Sequence, residues 1–302
     1  MKNLFNSKLP ILICGETGSG KSRLANEIHL KSSHANEPFV KCNLAGLSDN
    51  LFESEIFGHV KGAFTGANSD KLGFCDLVGR GTLFLDEIGE LSSMQQKRLL
   101  NILDDEEFFS VGSTRAKKFN GRFIFATHRN LEEMVLKGSF REDLFYRIGA
   151  ETIELKPFRR LEESRKVSKL NDLVLEFSKK YSLENITLSE CATELLCNYL
   201  WPGNYRELRR TMEYTILKLK NGRMTSRDLP DRMKVKNMQG SSFKRQLEDL
   251  ERKIIKNELV NRGIGVNKAS KSLGISKTTL IAKMRKYGIT VHQNIRYELR
   301  AA

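Results

Sequence analysis

Short apolar runs bounded by glycine or polar residues punctuate the first half of the chain: Leu9–Cys14, Leu83–Leu85 and Phe123–Ala126. Each precedes a stretch with helical spacing, and continuous apolar runs this short fit strands buried on both faces of a parallel sheet. The fold class read from this pattern is α/β for the first part. From about Leu161 to Leu219 the period becomes helical, with Leu170, Leu173, Leu175 and Phe177 in one helix and Leu195, Leu196, Tyr199 and Leu200 in the next. The stretch 230–242 is poor in large apolar residues and includes Gly240, Ser241 and Ser242, the composition of a linker. Helical spacing resumes near Phe243 and runs to about Tyr287. The expected division is an α/β core over 1–157, an α-helical subdomain over 158–232, a linker over 233–242 and an all-α domain over 243–302.

Composition sharpens this picture in three places. A chain of 302 residues exceeds the size at which one hydrophobic core stops growing, so several domains are expected. Five cysteines without a CxxC pair argue against a disulfide framework, and the five histidines show no zinc-ligand spacing with them. No apolar run approaches the roughly 20 residues needed to cross a bilayer, and Met1–Pro10 lacks a signal-peptide core. That makes the cytoplasm the expected location and a membrane partner unexpected. The net charge of +14 is concentrated at the end, where residues 241–302 carry 14 Lys and Arg against 5 Asp and Glu. Such a basic terminal segment is an electrostatic footprint for nucleic acid, although charge alone fits a solvated helix face equally well.

The segment Gly15-Glu16-Thr17-Gly18-Ser19-Gly20-Lys21-Ser22 matches GxxxxGK[ST] and sits between the apolar Ile11–Cys14 and the helix-forming Arg23–Leu30. Its glycines let backbone N–H groups converge on phosphate oxygens while the next helix points its positive end at them. Lys21 would reach the terminal phosphates and the Ser22 hydroxyl would ligate Mg²⁺. A chance glycine-rich turn lacks this flanking strand and helix. Downstream, Thr82-Leu83-Phe84-Leu85-Asp86-Glu87 is an apolar strand ending in two carboxylates, whose neighbouring side chains take opposite faces. Paired with the phosphate loop, Asp86 would hold Mg²⁺ and Glu87 would polarise an attacking water.

Between these motifs lies Phe57-Gly58-His59-Val60-Lys61-Gly62-Ala63-Phe64-Thr65-Gly66-Ala67, physically a hairpin tip that exposes an aromatic ring. Its GAFTGA hexapeptide resembles the signature loop of the sigma-54-dependent transcription activators, the bacterial enhancer-binding proteins of the AAA+ ATPase superfamily. The likeness runs from about Leu9 to the C-terminus and includes Gly81–Leu91 (GTLFLDEIGEL), Phe140–Ile148 (FREDLFYRI) and Trp201–Leu208 (WPGNYREL). It implies an AAA+ P-loop domain with a parallel sheet, an α-helical lid and a C-terminal helix-turn-helix domain. It further implies ATP and Mg²⁺ as cofactors, a ring oligomer that is usually hexameric, and sigma-54 bound to RNA polymerase as the target remodelled from closed to open promoter complex. Phe64 and Thr65, within Gly62, Ala63, Gly66 and Ala67, would make that contact.

By the same resemblance Arg141 and Arg147 match arginine fingers that reach a neighbouring subunit's ATP, and Arg206 matches the sensor II arginine. Asn43 matches the residue that holds the catalytic glutamate inactive. Sensor I normally reads Ala-Thr-Asn, whereas this chain has Ala126-Thr127-His128, substituting a side chain that ordinarily titrates near neutral pH. Further departures are Val60, where an acidic residue is common, and Leu155–Glu163, a loosened version of the proline-rich lid linker. The family's N-terminal helix and adenine-contacting residues have no counterpart ahead of Leu9, which predicts weaker nucleotide affinity and ring packing. The lack of a receiver or GAF sequence predicts activity that is constitutive or set by a partner or by expression level, unless the chain is part of a longer one.

Asn267–Leu280 reads as a short helix, a glycine-containing turn and a second helix capped by Ser276, the spacing of a helix-turn-helix. Ala269, Leu273, Ile275, Leu280 and Met284 would pack the pair, leaving Lys277, Thr278, Thr279 and Lys283 for bases or phosphates. A small helical oligomerisation domain is the alternative. Similarity to the Fis-type C-terminal domain favours upstream, enhancer-like DNA, with a departure at Ile281-Ala282, where Tyr-Arg is often found. Three functions follow for comparison: an ATP-driven sigma-54 activator, an AAA+ remodeller of another protein, and a DNA-binding regulator with a vestigial ATPase.

Overall fold

The computed structural model describes residue 5 and residues 7–219, 222–234, 251, 254–255, 257–261, 265–287 and 289. The chain divides into two compact units, 1–234 and 235–302. In chain order the first holds β1 (Ile11–Gly15), α1 (Lys21–Leu30), β2 (Phe39–Asn43), α2 (Asp49–Phe57), α3 (Phe74–Leu77), β3 (Thr82–Asp86) and α4 (Ser93–Asp105). A short hairpin of β4 (Glu107–Phe109) and β5 (Ala116–Lys118) leads to β6 (Arg122–Thr127), α5 (Leu131–Leu136), α6 (Glu142–Ile148) and β7 (Glu151–Leu155).

The five longer strands pair in parallel in the order β2-β3-β6-β1-β7. Strand alternation sends Leu12, Leu83, Leu85, Phe123 and Phe125 to one face, where they pack with Phe52 and Ile56 of α2 and Leu99 and Ile102 of α4. Ile11, Ile13, Phe84 and Ile124 face the other way, onto Ala25 and Ile28 of α1. Both faces are thus covered, which is why these strands read as unbroken apolar runs. Register then decides where chemistry gathers. Cys14 pairs with Thr127, Asp86 with Ala126 and Asn43 with Asp86, so the carboxyl ends of four strands meet along one edge.

The helical part of this unit comprises α7 (Glu163–Tyr181), α8 (Glu190–Asn198), α9 (Asn204–Lys218) and α10 (Asp231–Lys234), with the two-residue strands β8 (Thr187–Leu188) and β9 (Arg223–Met224) paired in parallel. Its core closes on Trp201, whose Nε1 donates to the Leu196 carbonyl at 2.8 Å while Leu170, Phe177, Leu196 and Met212 pack in the same cluster. Residues 233–234 of the expected linker belong to α10, and its remainder, 235–242, lies outside the described residues.

In the second unit α11 (Val266–Ser272) and α12 (Lys277–Lys286) flank a turn at Gly274, whose φ of +65° requires glycine's freedom. Ser276 caps α12 by accepting from the Thr279 amide at 3.1 Å. Ala269, Leu273, Ile275, Leu280 and Met284 share one cluster with Ile255 and Leu259, as their spacing predicts. Among the described residues no helix is long and apolar enough to cross a membrane.

Candidate functional site

The phosphate loop turns between β1 and α1 through Gly18 at φ +78° and Gly20 at φ +104°, both in the left-handed region. A Cβ on Gly18 would also lie 2.4 Å from the Gly203 carbonyl oxygen, so a side chain is barred there twice over. Lys21 is buried and folds back, its Nζ donating to the Gly15 carbonyl at 2.9 Å and contacting the Glu16 carbonyl at 3.5 Å. The Ser19 hydroxyl is buried without a partner. An orphaned donor beside a helix N-terminus with no acidic residue in its first turn is a ready anion cradle.

Asp86 closes β3 and Glu87 follows it at φ +63°, ψ +49°, a left-handed conformation that costs a non-glycine residue on the order of 1–3 kcal/mol. That backbone turns the two carboxylates to different neighbours. Ser22 Oγ donates to Asp86 Oδ2 at 3.0 Å, and Asp86 Oδ1 is buried with no partner. A hydroxyl and an under-satisfied carboxylate form a hard oxygen donor set that suits Mg²⁺. Glu87 Oε1 lies 3.8 Å from Lys21 Nζ, while Oε2 is held by His128, 2.6 Å from Nδ1 and 3.3 Å from the amide nitrogen.

Asn43 stands beside Asp86 in register, yet its amide oxygen accepts from the Ala45 amide at 3.0 Å, capping the turn after β2. The side chain on Glu87 is His128, from the opposite flanking strand. Thr127 is buried, and its hydroxyl accepts from the Arg129 amide at 3.0 Å.

The helical part docks directly onto this loop. Asn204, buried at φ +50°, donates from Nδ2 to Glu16 Oε2 at 3.0 Å and to the Thr17 carbonyl at 3.1 Å, and the Arg206 amide donates to the Gly18 carbonyl at 3.2 Å. Arg159 grips Glu16 with both terminal nitrogens, and these bonds, with that of Asn204, hold the Glu16 carboxyl down to about 2. Arg206 joins Lys21, Ser22, Asp86, Glu87, Tyr205 and Arg209 around a cleft of about 340 Å³. A neighbouring cleft of about 420 Å³ includes Gly20, Leu24, Leu155, Phe158 and Tyr205. The structure therefore brings together Gly15–Ser22, Asp86, Glu87, His128 and Arg206. Lys41 and Arg159, which no sequence motif singles out, join them, and only their cationic positions beside a strand end and a lid junction could have signalled it.

Arg141 pairs with Asp143, at 2.6 Å from Nη2. Arg147 donates to the Leu103 carbonyl at 2.8 Å and lies 3.3 Å from Asp104. Neither lines the phosphate cleft of its own chain. The Gly62–Ala67 loop is stapled at its base by Gly62 N–H to the Ala67 carbonyl at 2.9 Å and by backbone bonds joining Gly58 and Val60 to Val111. Phe64, Thr65 and Gly66 are exposed, and the Phe64 ring sits edge-on to His59 at 5.0 Å between centroids. In the second unit Lys277, Thr278 and Thr279 are exposed, with both threonine hydroxyls bonded to Ser276. Lys283 is half-buried and pairs with Glu251 at 2.6 Å.

A parallel sheet ending in a phosphate loop and a carboxylate pair, roofed by helices that bond the loop, defines a P-loop ATPase-type domain of the AAA+ class with a helical lid. Family models match accordingly: the sigma-54 interaction domain over residues 1–154, the AAA+ ATPase lid domain over 167–246 and a helix-turn-helix domain over 240–290. The chain belongs to the sigma-54-dependent activators, the bacterial enhancer-binding proteins. It is 38% identical to nitrogen fixation protein AnfA of Azotobacter vinelandii over 97% of its own length and 55% of the relative's. Regulatory protein AtoC of Escherichia coli (strain K12) is 37% identical, over 94% of this chain and 63% of its own. The chain thus spans a little over half of these relatives' length. Among solved structures, NtrX from Brucella abortus in complex with ADP aligns with a TM-score of 0.72 at 25% identity, covering 95% of this chain and 66% of NtrX.

Proposed function

We propose that this chain is an ATP-hydrolysing transcription activator that binds upstream DNA and remodels sigma-54 RNA polymerase from closed to open complex. The observation that carries this reading is the joining of Lys21, Ser22, Asp86 and Glu87 in one cleft, in a unit that also exposes Phe64 and Thr65 on a braced hairpin. ATP seats its phosphates against the loop amides, and Lys21 leaves the Gly15 carbonyl to meet them. Ser22 and Asp86 would hold Mg²⁺, which draws charge from the phosphate oxygens when bound. Glu87 orients the water once its contacts with Lys21 and His128 loosen. Arg141 and Arg147 act on a neighbouring subunit's nucleotide, so turnover requires a ring, for which we take six subunits.

The connection from cleft to hairpin runs through packed elements. Ser92 Oγ, just past the Glu87 turn, donates to Asp49 at 2.6 Å, and Gln95 Nε2 donates to the Leu47 carbonyl at 3.0 Å. These bonds tie the end of β3 to the start of α2. The far end of α2 holds the hairpin through Ser54 and His59, 2.8 Å apart. Movement at Glu87 is therefore delivered to Gly62–Ala67 by a helix rather than by a flexible loop. The second unit positions the motor on DNA through Lys277, Thr278 and Thr279. The test is open-complex formation by sigma-54 polymerase on a promoter with an upstream site. Wild type must open it with ATP, and failure to do so would remove the proposal.

A further inference from the structure

Lys41 has no place in the scheme above, yet it stands over the groups assigned to the divalent cation. It projects from β2, where it pairs in register with Phe84, and its Nζ lies 5.6 Å from that ring's centroid. The ammonium donates to Ser22 Oγ at 2.9 Å and lies 3.7 Å from Asp86 Oδ2, while Ser22 in turn donates to the same Asp86 oxygen. One ordered chain of donors, Lys41 to Ser22 to Asp86, thus engages the proton and one lone pair of the hydroxyl. A Mg²⁺ held by Ser22 and Asp86 would draw on the same hydroxyl oxygen and the same carboxylate charge that Lys41 now faces. Two cations this close also repel one another. Lys41 is 48% exposed, so its flexible stem has room to swing away, whereas Lys21 beneath it is 6% exposed.

We infer that Lys41 is a placeholder cation: its ammonium occupies the divalent site before nucleotide arrives and has to leave for Mg²⁺ to bind. Its competition raises the Mg²⁺ concentration at which the nucleotide complex closes. The inference rests on the ATPase reading of this site and adds a metal-set threshold to it. It also accounts for a lysine at the open edge of the sheet, where it meets Ser22, Asp86 and the Phe84 ring.

The experiment uses Mn²⁺ as the probe, with ADP at saturation, on the full chain, bound ion being measured by loss of the free Mn²⁺ paramagnetic resonance signal. Lys41→Met keeps the apolar stem over Phe84 and removes the charge, and should lower the apparent Mn²⁺ dissociation constant about five- to tenfold. Lys41→Arg keeps a cation and should stay within about twofold of wild type. ADP affinity in the presence of chelator, followed with a fluorescent analogue, should not rise in Lys41→Met. Equal or weaker Mn²⁺ binding by a folded Lys41→Met protein overturns the inference and leaves the ATPase reading intact. Absence of Mn²⁺ and ADP binding from wild type and both variants overturns the two together.

Discussion

The nucleotide cleft and the exposed hairpin belong to one compact unit but are built on opposite terms. In the cleft the charged side chains are already engaged, Lys21 on a carbonyl, Glu87 on His128, Ser22 on Asp86, Glu16 on Arg159 and Asn204, while the Ser19 hydroxyl and Asp86 Oδ1 are left open. The hairpin is held by backbone bonds at its root and across its turn, while Phe64, Thr65 and Gly66 are exposed. A site that must stabilise charge gains from groups held in place before the substrate arrives. A contact surface needs a fixed base and a free tip. The division teaches that the chemistry and its output are separable by mutation, which orders the following experiments.

The largest effect should come from Lys21→Ala, which removes the buried ammonium facing Gly15 and Glu87. ATP turnover should fall at least about 100-fold, read by phosphate release. Thr65→Ala should do the reverse, leaving turnover within about threefold while abolishing open-complex formation. If both activities fell together, the separation would be lost. Gly112→Val sharpens the comparison at the hairpin's root. Gly112 has φ +78° and a Cβ there would lie 2.7 Å from Ala63 Cβ, so promoter opening should drop about tenfold with nucleotide binding retained.

Smaller effects are expected from pH. The Glu16 carboxyl is held down to about 2, first by its hydrogen bonds from Arg159 and Asn204. A depressed carboxylate stabilises the fold above its ordinary value of about 4.3, and that contribution disappears as pH falls toward 2. Arg159→Ala should therefore cost about 1 kcal/mol or less at neutral pH, the pair being partly exposed, and progressively less below pH ~4 in urea melts. His29 is depressed by burial and then by the nearby Arg122 charge, its Nδ1 2.9 Å from Thr82 Oγ1. A histidine kept neutral stabilises above its ordinary value of about 6.5, and the contribution is lost as pH falls below it. His29→Gln should accordingly lose less stability than wild type between about pH 7.5 and 5.5.

Local rules made much of the molecule readable in advance. Gly18 and Gly20 had to be glycine to turn the phosphate loop, the apolar run before Asp86 had to be a buried strand, and Ser276 after Gly274 had to start a helix. Each depends on a few consecutive residues. The family loop at Gly62–Ala67 was readable for the same reason, as an unbroken string.

What no window of sequence contains is which distant side chain arrives beside a given group. Asn43 and His128 flank the same strand end, and the Asn43 side chain bonds the Ala45 amide while His128 meets Glu87. Lys283 looks like a free helix-face cation until Glu251 lies 2.6 Å away. Lys41 lies 45 residues before Asp86 and meets it because β2 and β3 pair in parallel, and Arg159 meets Glu16 because the lid folds back over the phosphate loop. By itself the sequence determined the family, three of the five strands of the parallel sheet, the phosphate loop and the residues able to carry the chemistry, since these are written in local spacing. Only the tertiary structure decided the pairing of those charges, because strand order and lid docking bring together groups that the chain keeps far apart.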